Sequence, residues 1–161
     1  MKKIFLLVPV VFFGLISAAQ CDKSVTFKCF KGRSFNNGNA EQEMQIEVVT
    51  SIEKGKINVT LTMDRSTATV PGEITEVVSC EWTEYLHNGK TQYKANVSKD
   101  GRATEAAIIE IESYNGQTKI TFSSDPDTGS KLQLDVADYT IAADEATAPK
   151  TTEPAKRKKK S

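Results

Sequence analysis

The sequence predicts an all-β domain: a single antiparallel meander of about eight strands, closed or partly open as a barrel, with a two-sheet β-sandwich as the alternative. Three observations predict it. Apolar residues recur with a period of two from residue 24 onward, turn formers punctuate those runs at hairpin spacing, and no apolar stripe of helical period extends beyond a single turn at Ala103 to Ala107. Parallel pairing needs crossovers of about a dozen residues, and the runs lie too close together for them.

Taken in order, the strands open with Val25, Phe27 and Cys29 and continue with Met44, Ile46 and Val48, then Ile57, Val59, Leu61 and Met63. Next come Ile74, Val78, Cys80 and Trp82; Tyr93, Ala95 and Val97; Ile109 and Ile111; Ile120 and Phe122; and Leu132, Leu134 and Val136. Polar residues fill the intervening positions, which places one face of each strand in a core and the other in water. Lys54-Gly55, Asn88-Gly89, Asp100-Gly101 and Asn115-Gly116 read as tight hairpin turns, because Asn and Gly adopt positive φ cheaply. Asp125 to Gly129 reads as a slightly longer turn built on Pro126. Two stretches fail to alternate: Phe30 to Gln42, rich in Asn and Gly, is expected to be a loop, and Ser66 to Gly72 a looser connection.

Eight meandering strands leave an interior that side chains fill or that holds one small ligand. The Gly-x-Trp motif of an early lipocalin strand is missing, since the sole Trp lies in the fourth run. An immunoglobulin-type sandwich fits poorly because Trp82 follows Cys80 instead of preceding it. No family is assigned on these residues.

Lys2 and Lys3, the apolar run Ile4 to Ile16, and Ser17-Ala18-Ala19 have the order of a secretory signal peptide cut after Ala19. The run is shorter than the ~20 apolar residues of a spanning helix. The division expected is therefore 1–19 signal peptide, 20–143 β-domain and 144–161 disordered basic tail, with the mature chain periplasmic or secreted and lacking a transmembrane span. Cys29 and Cys80 share parity with apolar neighbours and are the expected disulfide, worth about 4 kcal/mol in the chain-entropy model. Cys21 is left over: a free thiol, or a lipidation site whose preceding residue, Gln20, departs from the lipobox pattern.

The whole chain balances 21 basic against 21 acidic residues, but residues 20–143 carry a net −5 and the tail a net +3. An acidic body disfavours nucleic acid as a partner. His87 is the only histidine and stands beside Asn88-Gly89, and no Gly-x-Ser-x-Gly or phosphate-cradling loop occurs, so no catalytic residue, metal ligand or cofactor is assigned. Asp125, Asp127 and Gly129 fail the calcium-loop pattern at its sixth and twelfth positions, Ser130 and Val136. Glu76 is the carboxylate that shares parity with apolar neighbours; with Trp82 and Tyr93 it forms the expected ligand-binding set. Asn58-Val-Thr60 and Asn96-Val-Ser98 match the glycosylation acceptor pattern; both sit within strands, and in a bacterial chain, which the signal-peptide order suggests, they would mean little.

The function expected is an exported, non-catalytic binding module of the cell envelope, its ligand a small apolar molecule or a protein. A carboxylate-based hydrolase using Glu76, and a structural or inhibitory protein without a cavity, are the alternatives. Lys156, Arg157, Lys158, Lys159 and Lys160 are expected to give the acidic body a salt-sensitive hold on an anionic surface. Deleting residues 144–161 should abolish retention on anionic liposomes at low salt and leave thermal stability unchanged; retention that survives the deletion or resists high salt would move that contact to the folded body.

Overall fold

The computed structural model describes residues 21–36, 39–63, 66–98, 103–124 and 130–142. The expected signal peptide, the basic segment with Lys156 to Lys160, and the expected turns at Asp100-Gly101 and Asp125 to Gly129 lie outside the described residues. Eight strands follow one another: β1 (Val25–Asn36), β2 (Asn39–Glu53), β3 (Lys56–Met63), β4 (Ser66–Glu84), β5 (Asn88–Ser98), β6 (Thr104–Tyr114), β7 (Gln117–Ser123) and β8 (Lys131–Ile141). Each pairs antiparallel with the next, and β1 pairs with β8, from Val25↔Ile141 to Phe35↔Lys131, so the meander closes as a barrel. Closure removes the free edges that an open sheet would leave.

Alternation sorts each strand into an inner and an outer row. Phe27, Cys29, Val48, Ile57, Ile109, Ile120 and Leu134 are fully buried, and all sit on the inward rows. Each large apolar side chain withdrawn from water in this way is worth about 1.5–3 kcal/mol. Thr50 shares the inner row of β2, and its hydroxyl is buried without a hydrogen-bond partner.

Two turns match expectation: Lys54 and Gly55 take φ of 43° and 80°, and Asn115 and Gly116 take 50° and 78°. The third differs. The chain reverses through Tyr85, Leu86 and His87, with Leu86 at φ 57° and its side chain in the core, while Asn88 and Gly89 already belong to β5. Burial of Leu86 offsets the cost of a left-handed conformation that its local sequence does not advertise.

The two stretches expected to be loop or loose connection are largely strand. β1 and β2 stay paired as far as Asn36↔Asn39, with irregularities between Cys29 and Lys31 and between Ser34 and Phe35. A strand flanked on both sides has its backbone groups satisfied whatever its side chains prefer, so pairing overrides weak propensity. Gly32 has a packing reason as well: a Cβ there would lie 3.0 Å from the Leu134 side chain. Ser66 to Gly72 opens β4; Pro71 falls where β4 has only β3 beside it, and a Cβ on Gly72 would meet Ile57 and Val97 at 2.9 Å each. Thr104 to Ala107 likewise begins β6 and makes no helical turn.

The disulfide joins Cys21 to Cys80, with Cα atoms 6.2 Å apart, and Cys29 is a buried free thiol. This corrects the expected Cys29–Cys80 pair. Parity places Cys29 in the interior as expected, but β1 neighbours only β2 and β8, so two strands separate it from Cys80 on β4. The residues preceding β1 fold over the barrel end and bring Cys21 to Cys80 instead. A sulfur bonded to Cys80 carries no acyl chain, so Cys21 is neither free nor lipidated in this fold. Peptide mapping of the unreduced protein should find Cys21 linked to Cys80 and one thiol, Cys29, that reacts with a thiol reagent only on unfolding. Replacing Cys21 and Cys80 together by Ser should cost about 2–4 kcal/mol; a recovered Cys29–Cys80 peptide would contradict the assignment.

Candidate functional site

The interior changes character along its length because large side chains collect at one end. There the segment Cys21 to Ser24 lies across the barrel, held by the disulfide and by the Ala142 N–H donating to Ser24 O at 2.9 Å. The Tyr93 hydroxyl donates to Cys21 O at 3.1 Å. A disulfide sulfur has no proton, so Thr91 donates to Cys21 Sγ at 3.0 Å, and its oxygen accepts from the Trp82 indole N–H. Trp82 meets Tyr85 edge-on at 5.3 Å, and the Lys23 ammonium lies 5.3 Å from the Tyr85 ring centre. What space remains beside Cys21 is about 60 Å³, room for a few waters. This end is sealed.

Toward the other end the inward rows shrink to Val59, Val70, Val97 and Ala107, and a cavity of about 530 Å³ opens. Leu61, Phe122 and Leu132 complete its apolar wall, and Ser34, Ser123 and Ser130 stand among its polar lining. Ligand sites of small molecules have this size and this mixture of apolar wall and few polar groups. Among the described residues Glu105 is the one carboxylate that lines it. A larger depression of about 670 Å³ lies on the outer wall, lined by polar groups that include Lys56, Glu73, Asn58 and Asn96. Both asparagines of the acceptor tripeptides are thus exposed on that outer face.

None of the three expected ligand residues reaches the cavity. Glu76 faces solvent, its carboxylate 2.7 Å from Lys94 Nζ. The reason lies in two irregularities of β4, between Ile74 and Glu76 and between Val77 and Ser79. Each inserts one residue, so Ile74, Val77, Cys80 and Trp82 stand opposite Ala95, Tyr93, Thr91 and Gly89, with Val77 on that row still exposed. Glu76 is thereby turned outward, and Val78, expected in the core, is exposed. Trp82 and Tyr93 do point inward, yet their polar tips are bonded to Thr91 and Cys21 in the sealed end. They build the seal and not a ligand wall.

Glu105 was legible in the sequence by the same parity argument: it shares a row with Ala107, Ile109 and Ile111, and that row has no irregularity. Thr91 shares the row of Tyr93 and Ala95 in the same way. Among the described residues no cluster of three or more His, Cys, Asp or Glu side chains is placed to hold a metal ion, and no helix is long and apolar enough to cross a membrane. Compared with known proteins, the chain matches no family model, no curated protein and no solved structure.

Burial has titration consequences. It pushes the Cys29 thiol from its ordinary 9.0 up to about 12, with Asp135 adding to the effect. Burial likewise raises Tyr93 from 10.0 to about 12, with the charge of Asp22 adding to the effect, and raises Tyr85. A group whose folded pKa lies above its unfolded value contributes stability that is complete below the unfolded value and lost as pH rises toward the folded one. Denaturant midpoints should therefore hold to about pH 9, fall as the unfolded Cys29 thiol ionises, and fall more steeply above pH 10 as the tyrosines join. Tyr93→Phe should flatten the slope above pH 10; a midpoint constant from pH 9 to 12 would contradict these burials.

Proposed function

We propose that the chain is an exported, non-catalytic binding module whose barrel takes one small apolar molecule through its open end. The observation that carries this reading is the cavity of about 530 Å³, walled by Val59, Leu61, Val97, Phe122 and Leu132, at the one end the Cys21 to Ser24 segment leaves uncovered. A buried-apolar mouth of this volume on a rigid barrel needs no rearrangement to admit a ligand, which keeps the ordering cost of binding low. Periplasmic or extracellular placement is supported by the signal-like order of residues 1–19 and by the Cys21–Cys80 bond, which persists in oxidising compartments. The net positive charge of residues 144–161 supports a second, weaker contact with an anionic envelope surface.

The alternatives lose their footing. A hydrolase built on Glu76 would need that carboxylate in a cleft with a second acid, and it pairs with Lys94 on the outer face. A cavity-free structural or inhibitory protein is disfavoured by the cavity itself.

A neutral environment-sensitive dye, Nile red, should brighten on binding and be displaced by 1-dodecanol. Leu61→Trp should weaken both by at least about tenfold while circular dichroism stays that of the barrel, because the indole occupies the cavity. Tyr93→Phe, at the sealed end, should leave affinity unchanged. Binding that ignores Leu61→Trp but falls with Tyr93→Phe would place the ligand elsewhere.

A further inference from the structure

We infer that the open end selects amphiphiles bearing a protonated amine, with Glu105 as the counter-charge to that head group. The inference rests on the cavity being the ligand site, and adds to it the chemistry of the ligand's polar end.

Glu105 pairs with Val97 across β5 and β6, and the register between these strands runs from Gly89↔Ser113 to Ser98↔Thr104 without a break. Its side chain therefore stands on the row of Ala107, Ile109 and Ile111, which faces the interior. At the mouth of a barrel a position on that row is ordinarily apolar or small, as Val59, Val70 and Val97 are here. The carboxylate there is exposed at the mouth, so a cationic head group entering the cavity can reach it directly.

Three other strand carboxylates stand beside a cation. Glu76 pairs with Lys94, Asp135 with Arg33 and Glu81 with Lys90, all on outer rows. Among the described residues Glu105 has no ion pair and no hydrogen bond. The cation that lines the same cavity is Lys131, and the pairing Phe122↔Leu132 beside Ser123↔Lys131 puts it on the outward row of β8, next to the inward Leu132. Its stem reaches the rim from the outward row, while Glu105 stands on the inward row at the exposed mouth.

The polar groups between them suit an ammonium. Such a group offers three donors and no acceptor, and Glu105 together with the hydroxyls of Ser34 and Ser130 supplies acceptors around the rim. The alkyl part of the ligand would then lie along Leu61, Phe122 and Leu132. A fatty carboxylate would meet Glu105 with like charge, and an alcohol would be indifferent to it.

The test is Nile red displacement by three probes of one chain length, dodecylamine, 1-dodecanol and laurate, each below its micelle concentration, at neutral pH and low ionic strength. The amine should bind about fivefold tighter than the alcohol, the ratio one partly exposed ion pair supports, and laurate weaker than either. Glu105→Gln should equalise amine and alcohol without changing the affinity for the alcohol, and Glu105→Lys should bring laurate to the top. High salt should erase the wild-type preference and spare the alcohol. Equal binding of amine and alcohol, a preference for laurate that assigns the mouth to Lys131, or an amine preference surviving Glu105→Gln would each overturn the inference and leave the cavity reading intact. Failure of all three probes to displace the dye would overturn both.

Discussion

The bond between Cys21 and Cys80 fixes the N-terminal strap across one end of the barrel, and the asymmetry of the interior follows from it. Without that tie, four residues ahead of β1 would have little beyond one backbone hydrogen bond at Ser24 and the Tyr93 contact to hold them. With it, Cys21 carries its carbonyl to the Tyr93 hydroxyl and its sulfur to Thr91, which in turn satisfies the Trp82 indole. Each polar atom buried at this end has a partner brought by another member of the group, so the seal holds together as a unit. Among the described residues the opposite end has no such strap and no large aromatic on its inward rows except Phe122, and the space those side chains do not fill is the cavity.

Much of this was legible in the sequence. Alternation identified eight strands, and Lys54-Gly55 and Asn115-Gly116 announced their turns, because period and positive φ are local properties of the chain. What was illegible is what depends on neighbours. Phe30 to Gln42 looks like a loop by composition and is strand because β2 and β8 flank β1 there. Glu76 looks inward by counting and faces outward because the irregularity beside it slips the count by one. Cys29 and Cys80 share a core but not a wall, and only the order of strands around the closed barrel separates them.

Glu76 and Glu105 differ in what their strands do to parity. Parity is reliable where a strand keeps register with both neighbours, and β6 does so across β5 and β7. It fails in β4, which is the longest strand and stands beside β3 for its first half and β5 for its second. The same strand carries Cys80, which the strap reaches through Cys21, just past the irregularity between Val77 and Ser79. A barrel closed at one end by such a device presents its ligand with one entrance, whose chemistry is set by the short row of residues at its rim.

The one-entrance reading is tested most directly by methyl-resolved NMR of the folded protein titrated with 1-dodecanol. Shifts should concentrate on Val59, Leu61, Val70, Val97 and Leu132 and leave Val25, Ile57 and Leu86, at the strapped end, where they were. Largest changes at Leu86 and Val25, or on outward Val78, would show that the ligand enters past the strap or rides the outer wall, and would contradict it.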